Sequence, residues 1–138
     1  MKSIVVEGYQ DAMILGILFP KIKEKGISLR VAQGFSNVLA ISRTLEDYKV
    51  DVLAVLDTDT NIPGNDNRTI LSRIQSKGIV GRHLRIAWMD PNIEGLLKQV
   101  DPSVSLHDVA LRDFILHNRS RIASLEGFMM ISSFIEKK

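Results

Sequence analysis

Cysteine is absent from the 138 residues, which removes disulfides and thiolate zinc sites together. Long apolar runs are missing as well. None approaches the roughly 18 residues that a membrane span needs, and no basic-then-apolar leader opens the chain. A cytoplasmic protein without a membrane partner is therefore expected. Charge of one sign is scarce: the net +2 is no warrant for nucleic-acid binding, so placement of charge matters more than its sum. No G-x-G-x-x-G or Walker A loop is present, and there is no internal repeat or low-complexity linker. What remains, 45% hydrophobic and 25% charged, is ordinary globular composition. The length suits one domain with a small appendage.

The segments alternate in character. Ser3–Val6 is a short apolar run, followed by Met13, Ile14, Ile17, Leu18 and Ile22 at helical spacing over Tyr9–Lys25, with Gly26 closing the helix. Ser28–Gln33 alternates like a half-buried strand. Gly34 and Asn37 punctuate before a helical pattern through Val38, Leu39, Ile41 and Leu45. Val50–Leu56 is the most continuous apolar run, and a turn-rich patch leads to a helix near Arg68–Ser76 with Ile70, Leu71 and Ile74 on one side. "GRHLRIAWM" alternates again, with Leu84, Ile86 and Trp88 on one face. Strands separated by helices predict a parallel sheet with helices on both faces. Runs apolar on both faces belong at its centre and alternating ones at its edges. The expected order is thus 2-1-3-4, a Rossmann-like α/β domain over residues 1–100. Beyond it, 101–138 is expected to be a mainly helical extension packed on the domain. There Ser105 with Asp108 suits a helix start, and Leu106, Val109, Ala110 and Phe114 a buried stripe. "FMMISSFI" fits a helix or a final strand.

Order 2-1-3-4 reverses direction between the first and third strands, and open α/β sheets bind ligands beyond the carboxyl ends at such a point. Glu7 and Asp57 occupy those ends, about 5 Å apart in the sheet direction. Asp59 follows two residues after Asp57, Asp11 falls in the first turn of the first helix, and Asp90 and Glu94 follow the fourth strand in "WMDPNIEGLL", where Pro91 suits a first helical turn. Like charges 4 Å apart repel by about 4 kcal/mol at an effective dielectric of about 20. A hard divalent cation removes that repulsion, and magnesium suits carboxylates with water and phosphate oxygens.

Glu7-Gly8 after the first strand with Asp57-x-Asp59 after the third resembles the Toprim domain of topoisomerases, primases, recombination mediators and OLD-family nucleases. The likeness covers roughly residues 1–100. "VEGYQDA" is similar to the first motif of the OLD-like and primase-like branches, and "DPNIEGLL" to a later acidic motif of OLD-type Toprims. The resemblance implies Mg2+ (or Mn2+) held by Glu7, Asp11, Asp57, Asp59 and Glu94, with Glu7 a general base and Glu7, Asp57 and Asp59 catalytic. It implies action on DNA or RNA phosphodiesters, as a nuclease-like hydrolase. Lys98 is the nearest candidate for the lysine that assists OLD-type nucleases. A partner protein would supply any catalytic group the chain lacks. Two other readings stay open: a non-catalytic module docking nucleic acid or protein, and a small-molecule phosphotransfer enzyme.

Plainer roles compete at several positions. Glu7 and Asp11 also suit helix starts, where the macrodipole favours acids by about 0.3–1 kcal/mol. Asp66 reads as turn chemistry and Asp90 as a cap. His83, His107 and His117 have no ligand spacing. Arg82, Arg85, Arg112, Arg119 and Arg121 would touch phosphates only if they faced the crevice, and Trp88 suits an edge-strand core. An EF-hand loop from Asp57 would need glycine and glutamate where Ile62 and Arg68 stand. A D-x-D-x-T phosphatase motif meets Asn61 in place of threonine.

Overall fold

Two unbroken apolar runs set the centre of the sheet. In the computed structural model, which describes residues 1–75 and 82–137, Ile4, Val5 and Val6 of β1 (Lys2–Val6) and Val52–Leu56 of β3 (Asp51–Asp57) are all buried. The partly exposed strands β2 (Ser28–Val31) and β4 (Leu84–Met89) flank them. All four are parallel, in the order β2-β1-β3-β4. Ile4 pairs with Leu29 on one side and Leu53 on the other, and Asp57 pairs with Met89.

The period of two divides the core. Val5, Val52, Ala54, Leu56 and Leu84 face α3 (Phe35–Asp47) and α4 (Asn67–Gln75), which contribute Val38, Leu39 and Leu71. Ile4, Val6, Leu53, Val55, Ala87 and Met89 face the other layer. That layer holds α1 (Tyr9–Leu18), α2 (Lys21–Glu24), α5 (Ile93–Val100), α6 (Asp108–His117), α7 (Arg119–Ala123) and α8 (Glu126–Glu136). Right-handed crossovers require this split. The chain moves one way from β1 to β2 and the opposite way afterwards, so α1 and α3 must cover opposite faces. No helix of the described residues is long and apolar enough to cross a membrane.

Several local expectations change. Tyr9–Lys25 is two helices, because Pro20 has no N–H and disfavours helical geometry at Phe19. Gly26, at φ 68°, does close α2. Asn37 sits inside α3 and donates to the Gln33 carbonyl at 2.9 Å rather than ending anything. The helix expected from Ser105 begins at Asp108, after His107. Of the expected stripe, Leu106 and Phe114 are partly buried against the core and Val109 is 70% exposed, while Leu111 and Ile115 are the fully buried residues. Pro91 precedes α5 instead of opening its first turn, because Asn92 is the cap and accepts from the Gly95 N–H at 2.7 Å. "FMMISSFI" is helical. Ser76 and Gly81, and the side chains of Ile74 and Asp108, lie outside the described residues.

The tail is part of the same core. Leu111, Ile115, Ile122, Phe128, Ile131, Phe134 and Ile135 join Leu53 and Met89 in one apolar cluster, each burial stabilising by about 1.5–3 kcal/mol. Gly127 lets α8 reach β4: a Cβ there would stand 2.6 Å from the Trp88 carbonyl oxygen and 2.9 Å from Met89 Sδ.

Candidate functional site

Strand direction gathers acids at one edge. Glu7 directly follows β1, and Asp57 is the last residue of its neighbour β3. Glu7 Oε2 accepts the Asp57 backbone N–H at 3.0 Å, so these two acids are in contact. The α1 helix begins two residues after Glu7, and Asp11 Oδ2 in its first turn accepts the Gly8 N–H at 3.1 Å. Gly8 itself is extended (φ −133°), and a Cβ there would meet Asp11 at an ordinary 3.6 Å. The chain bends at Glu7 and Gly8 into α1 without needing a conformation reserved for glycine. Glu94 stands in the first turn of α5, after β4. All four are half-buried.

Asp59 reaches the rim differently from its strand-like expectation. The strand stops at Asp57, and Asp59 has φ 53°, in the left-handed region. Its N–H donates to the Pro91 carbonyl at 2.9 Å and its Oδ2 accepts from Asn67 Nδ2 at 3.0 Å. Asn67, 7% exposed, also donates to the Asp57 carbonyl at 2.8 Å, and its own Oδ1 accepts from Asn65 at 3.2 Å. Fully buried Thr58 donates to Asp90 Oδ1 at 2.7 Å, and Thr60 donates to the same oxygen at 2.8 Å. Thr58, Asn65 and Asn67 thus shape the acidic loop, and sequence reasoning missed all three. The only signal was a threonine between two acids and a pair of asparagines after a turn. Asp90 ties that loop to the end of β4, its pKa lowered chiefly by the Thr58 hydroxyl. Asp66 makes the expected turn, accepting the Arg68 N–H at 3.0 Å and pairing with its guanidinium at 2.9 Å.

The electrostatics link all five predicted acids. Burial first, then the charges of Glu7 and Asp11, pushes the Asp57 pKa up to about 9, with contributions from a hydrogen bond to Glu7 and from Asp59. Burial and then Glu94 push Asp11 up to about 6. Glu7 is raised by burial, against the Asp57 N–H, with Asp59 and Glu94 adding to the rise. No cation answers them: among the described residues, none of the five forms an ion pair. Lys98, one turn beyond Glu94, is exposed.

The donor set is oxygen only, which is the chemistry of magnesium or manganese. Glu7, Asp11 and Asp59 are nevertheless each held by a local donor. Among the described residues, no three His, Asp or Glu side chains form a group that could hold a metal ion. The carboxylates fit a hard cation by type, and their side chains would have to draw together to hold one.

The basic residues are elsewhere. Arg82 and Arg85 line a recess with Lys2, Asp51, His83 and Lys137 at the amino ends of the strands, the opposite edge from the acids. Parallel strands dictate this, since Arg82 precedes β4 and Arg85 is its second residue. Lys2 Nζ donates there to the carbonyls of Phe134 (2.6 Å) and Lys137. Arg119 and Arg121 donate to the Ile17 and Val100 carbonyls, and Arg112 is exposed. His83 pairs with Asp51 at 3.0 Å, His117 Nδ1 is 2.7 Å from the Asp113 carbonyl oxygen, and His107 precedes α6. Trp88 is half-buried and stacks on Phe35, with centroids 6.5 Å apart. Comparison of the chain with protein-family models, with curated proteins and with solved structures finds no match.

Proposed function

We propose that the chain is a Toprim-type module that binds magnesium or manganese at the carboxyl edge of its sheet and hydrolyses nucleic-acid phosphodiesters. The observation that carries this reading is the contact of Glu7 with Asp57 across β1 and β3 at a topological switch point, with no ion pair to either among the described residues. Glu7, Asp11, Asp57, Asp59 and Glu94 would hold the metal. When bound, such an ion neutralises phosphate charge and lowers the pKa of water. The chain's own residues do the rest. Glu7, whose Oε2 accepts the Asp57 N–H, would take a proton from an attacking water. Asn67 holds Asp59 and the end of β3 in position. The Thr58–Asp90 bond keeps the loop from swinging away.

Labelled single- and double-stranded DNA and RNA incubated with the protein and manganese test the reading. Cleavage is expected, and Glu7→Gln is expected to abolish it while leaving the melting temperature within a few degrees. Absence of cleavage on every substrate overturns the hydrolase. One observation favours a second reading, a non-catalytic nucleic-acid-binding module: no set of three ligands is assembled among the described residues. Salt-sensitive binding without cleavage is its signature.

A further inference from the structure

We infer that Tyr9 and Gln33 form a base-stacking subsite at the lip of the acidic cluster, which makes single-stranded nucleic acid its substrate class. This rests on the nucleic-acid reading above.

Tyr9 is the first residue of α1, two places after Glu7, and is 71% exposed. One exposed ring is unremarkable by itself, and Gln33 supplies the second observation. It follows β2 at the same edge of the sheet, with φ 62°. Among the described residues only Gln33, Lys49 and Asp59 are non-glycine residues at positive φ, and two of these three border the acids. Strained backbone of this kind gathers at ligand sites. Glycine would relieve the strain, so what Gln33 adds is its amide. Its N–H donates to the Glu7 carbonyl at 2.8 Å, and its Nε2 donates to the Tyr9 hydroxyl at 3.4 Å. The strained residue therefore joins the exposed ring to the backbone of the central acid.

A ring with a free face beside a phosphate-directed site accepts an unpaired base, and a neighbouring amide can hydrogen-bond that base's edge. Duplex bases are stacked on one another and offer no free face. Stacking of one base on an aromatic side chain corresponds to roughly a 5- to 150-fold change in affinity on alanine substitution. Tyr48, 79% exposed but placed between α3 and the amino end of β3, is the internal control.

The test titrates the full chain into a short single-stranded oligodeoxynucleotide carrying one 2-aminopurine, with abasic and duplex versions alongside. Wild type is expected to quench the fluorophore and to prefer the single strand. Tyr9→Ala should bind roughly 5- to 150-fold more weakly, with its melting temperature unchanged; Tyr9→Phe should bind nearly as wild type, and Tyr48→Ala should match it. Equal binding by Tyr9→Ala, or equal affinity for duplex and single strand, overturns the subsite. The magnesium-linked rise in melting temperature, measured on the same proteins, separates the two proposals. If that rise is present while Tyr9→Ala binds normally, only the stacking subsite falls. If wild type binds no nucleic acid in any form, both fall.

Discussion

Asp57 carries the largest burden at the residue scale, because burial and neighbouring charge both oppose its ionisation. A folded-state pKa raised above the unfolded value means that the native chain binds the proton more tightly. The associated stability is present at low pH and is lost as pH rises through the folded value. For Asp11 that passage lies near 6 and for Asp57 near 9. The metal-free protein is therefore expected to lose several degrees of melting temperature between pH 5 and pH 9, as calorimetry would record. The acids with lowered values, Asp66, Asp90, Asp101 and Glu136, lie at the surface and act only below this window. Asp57→Asn should flatten the slope and leave the metal-free protein as stable or more stable at pH 8. If the proposed site binds magnesium, millimolar magnesium should raise the melting temperature and Asp57→Asn should remove most of that rise, since a ligand that binds only the folded state stabilises it. A metal-free loss of several kcal/mol in Asp57→Asn would instead mark the acid as structural. Asn67→Ala leaves the Asp57 carbonyl and Asp59 without a buried donor. A loss of about 1–3 kcal/mol is expected in urea unfolding.

Glu7 and Asp57 were legible from apolar runs that end on acids. Asn67 and Thr58 were not, because their hydrogen bonds exist only after the loop has folded back. Asp59 was found for a reason that does not hold. It is not the next outward residue of a strand but a left-handed loop residue held by Asn67.

At the scale of elements, periodicity identified strands and helices but not their rotation. The stripe expected on α6 included Phe114, which packs on the core, but missed Leu111 and Ile115, because packing against the other helices sets which face turns inward. Gly127 is a contact point for α8 on β4. Gly127→Ala is expected to cost about 1–2 kcal/mol net, since overpacking against the Trp88 carbonyl outweighs the better helix propensity of alanine. Gly16→Ala is the counterpart: nothing lies within 4 Å of its added Cβ. That variant should gain about 0.5–1 kcal/mol. Urea midpoints of the two variants should move in opposite directions.

For the whole molecule, the boundary near residue 100 separates motifs rather than cores. The helices beyond it bury Leu111, Ile115, Phe128 and Ile131 in one cluster with Ile4, Leu53 and Met89. A fragment ending at Val100 would expose that face of the sheet, so it is expected to show no cooperative thermal transition by circular dichroism. A sharp melt of the fragment would show instead that the first hundred residues fold alone.

Alternation and continuity of apolar residues were enough to determine the parallel sheet, its order and the edge where acids collect, because strand burial and crossover handedness are properties of local pattern. Tertiary structure alone decided how those acids are held, how Thr58, Asn65 and Asn67 shape their loop, and that the tail shares one core with the sheet. Those outcomes depend on groups far apart in the chain meeting in space, and no local pattern records such a meeting.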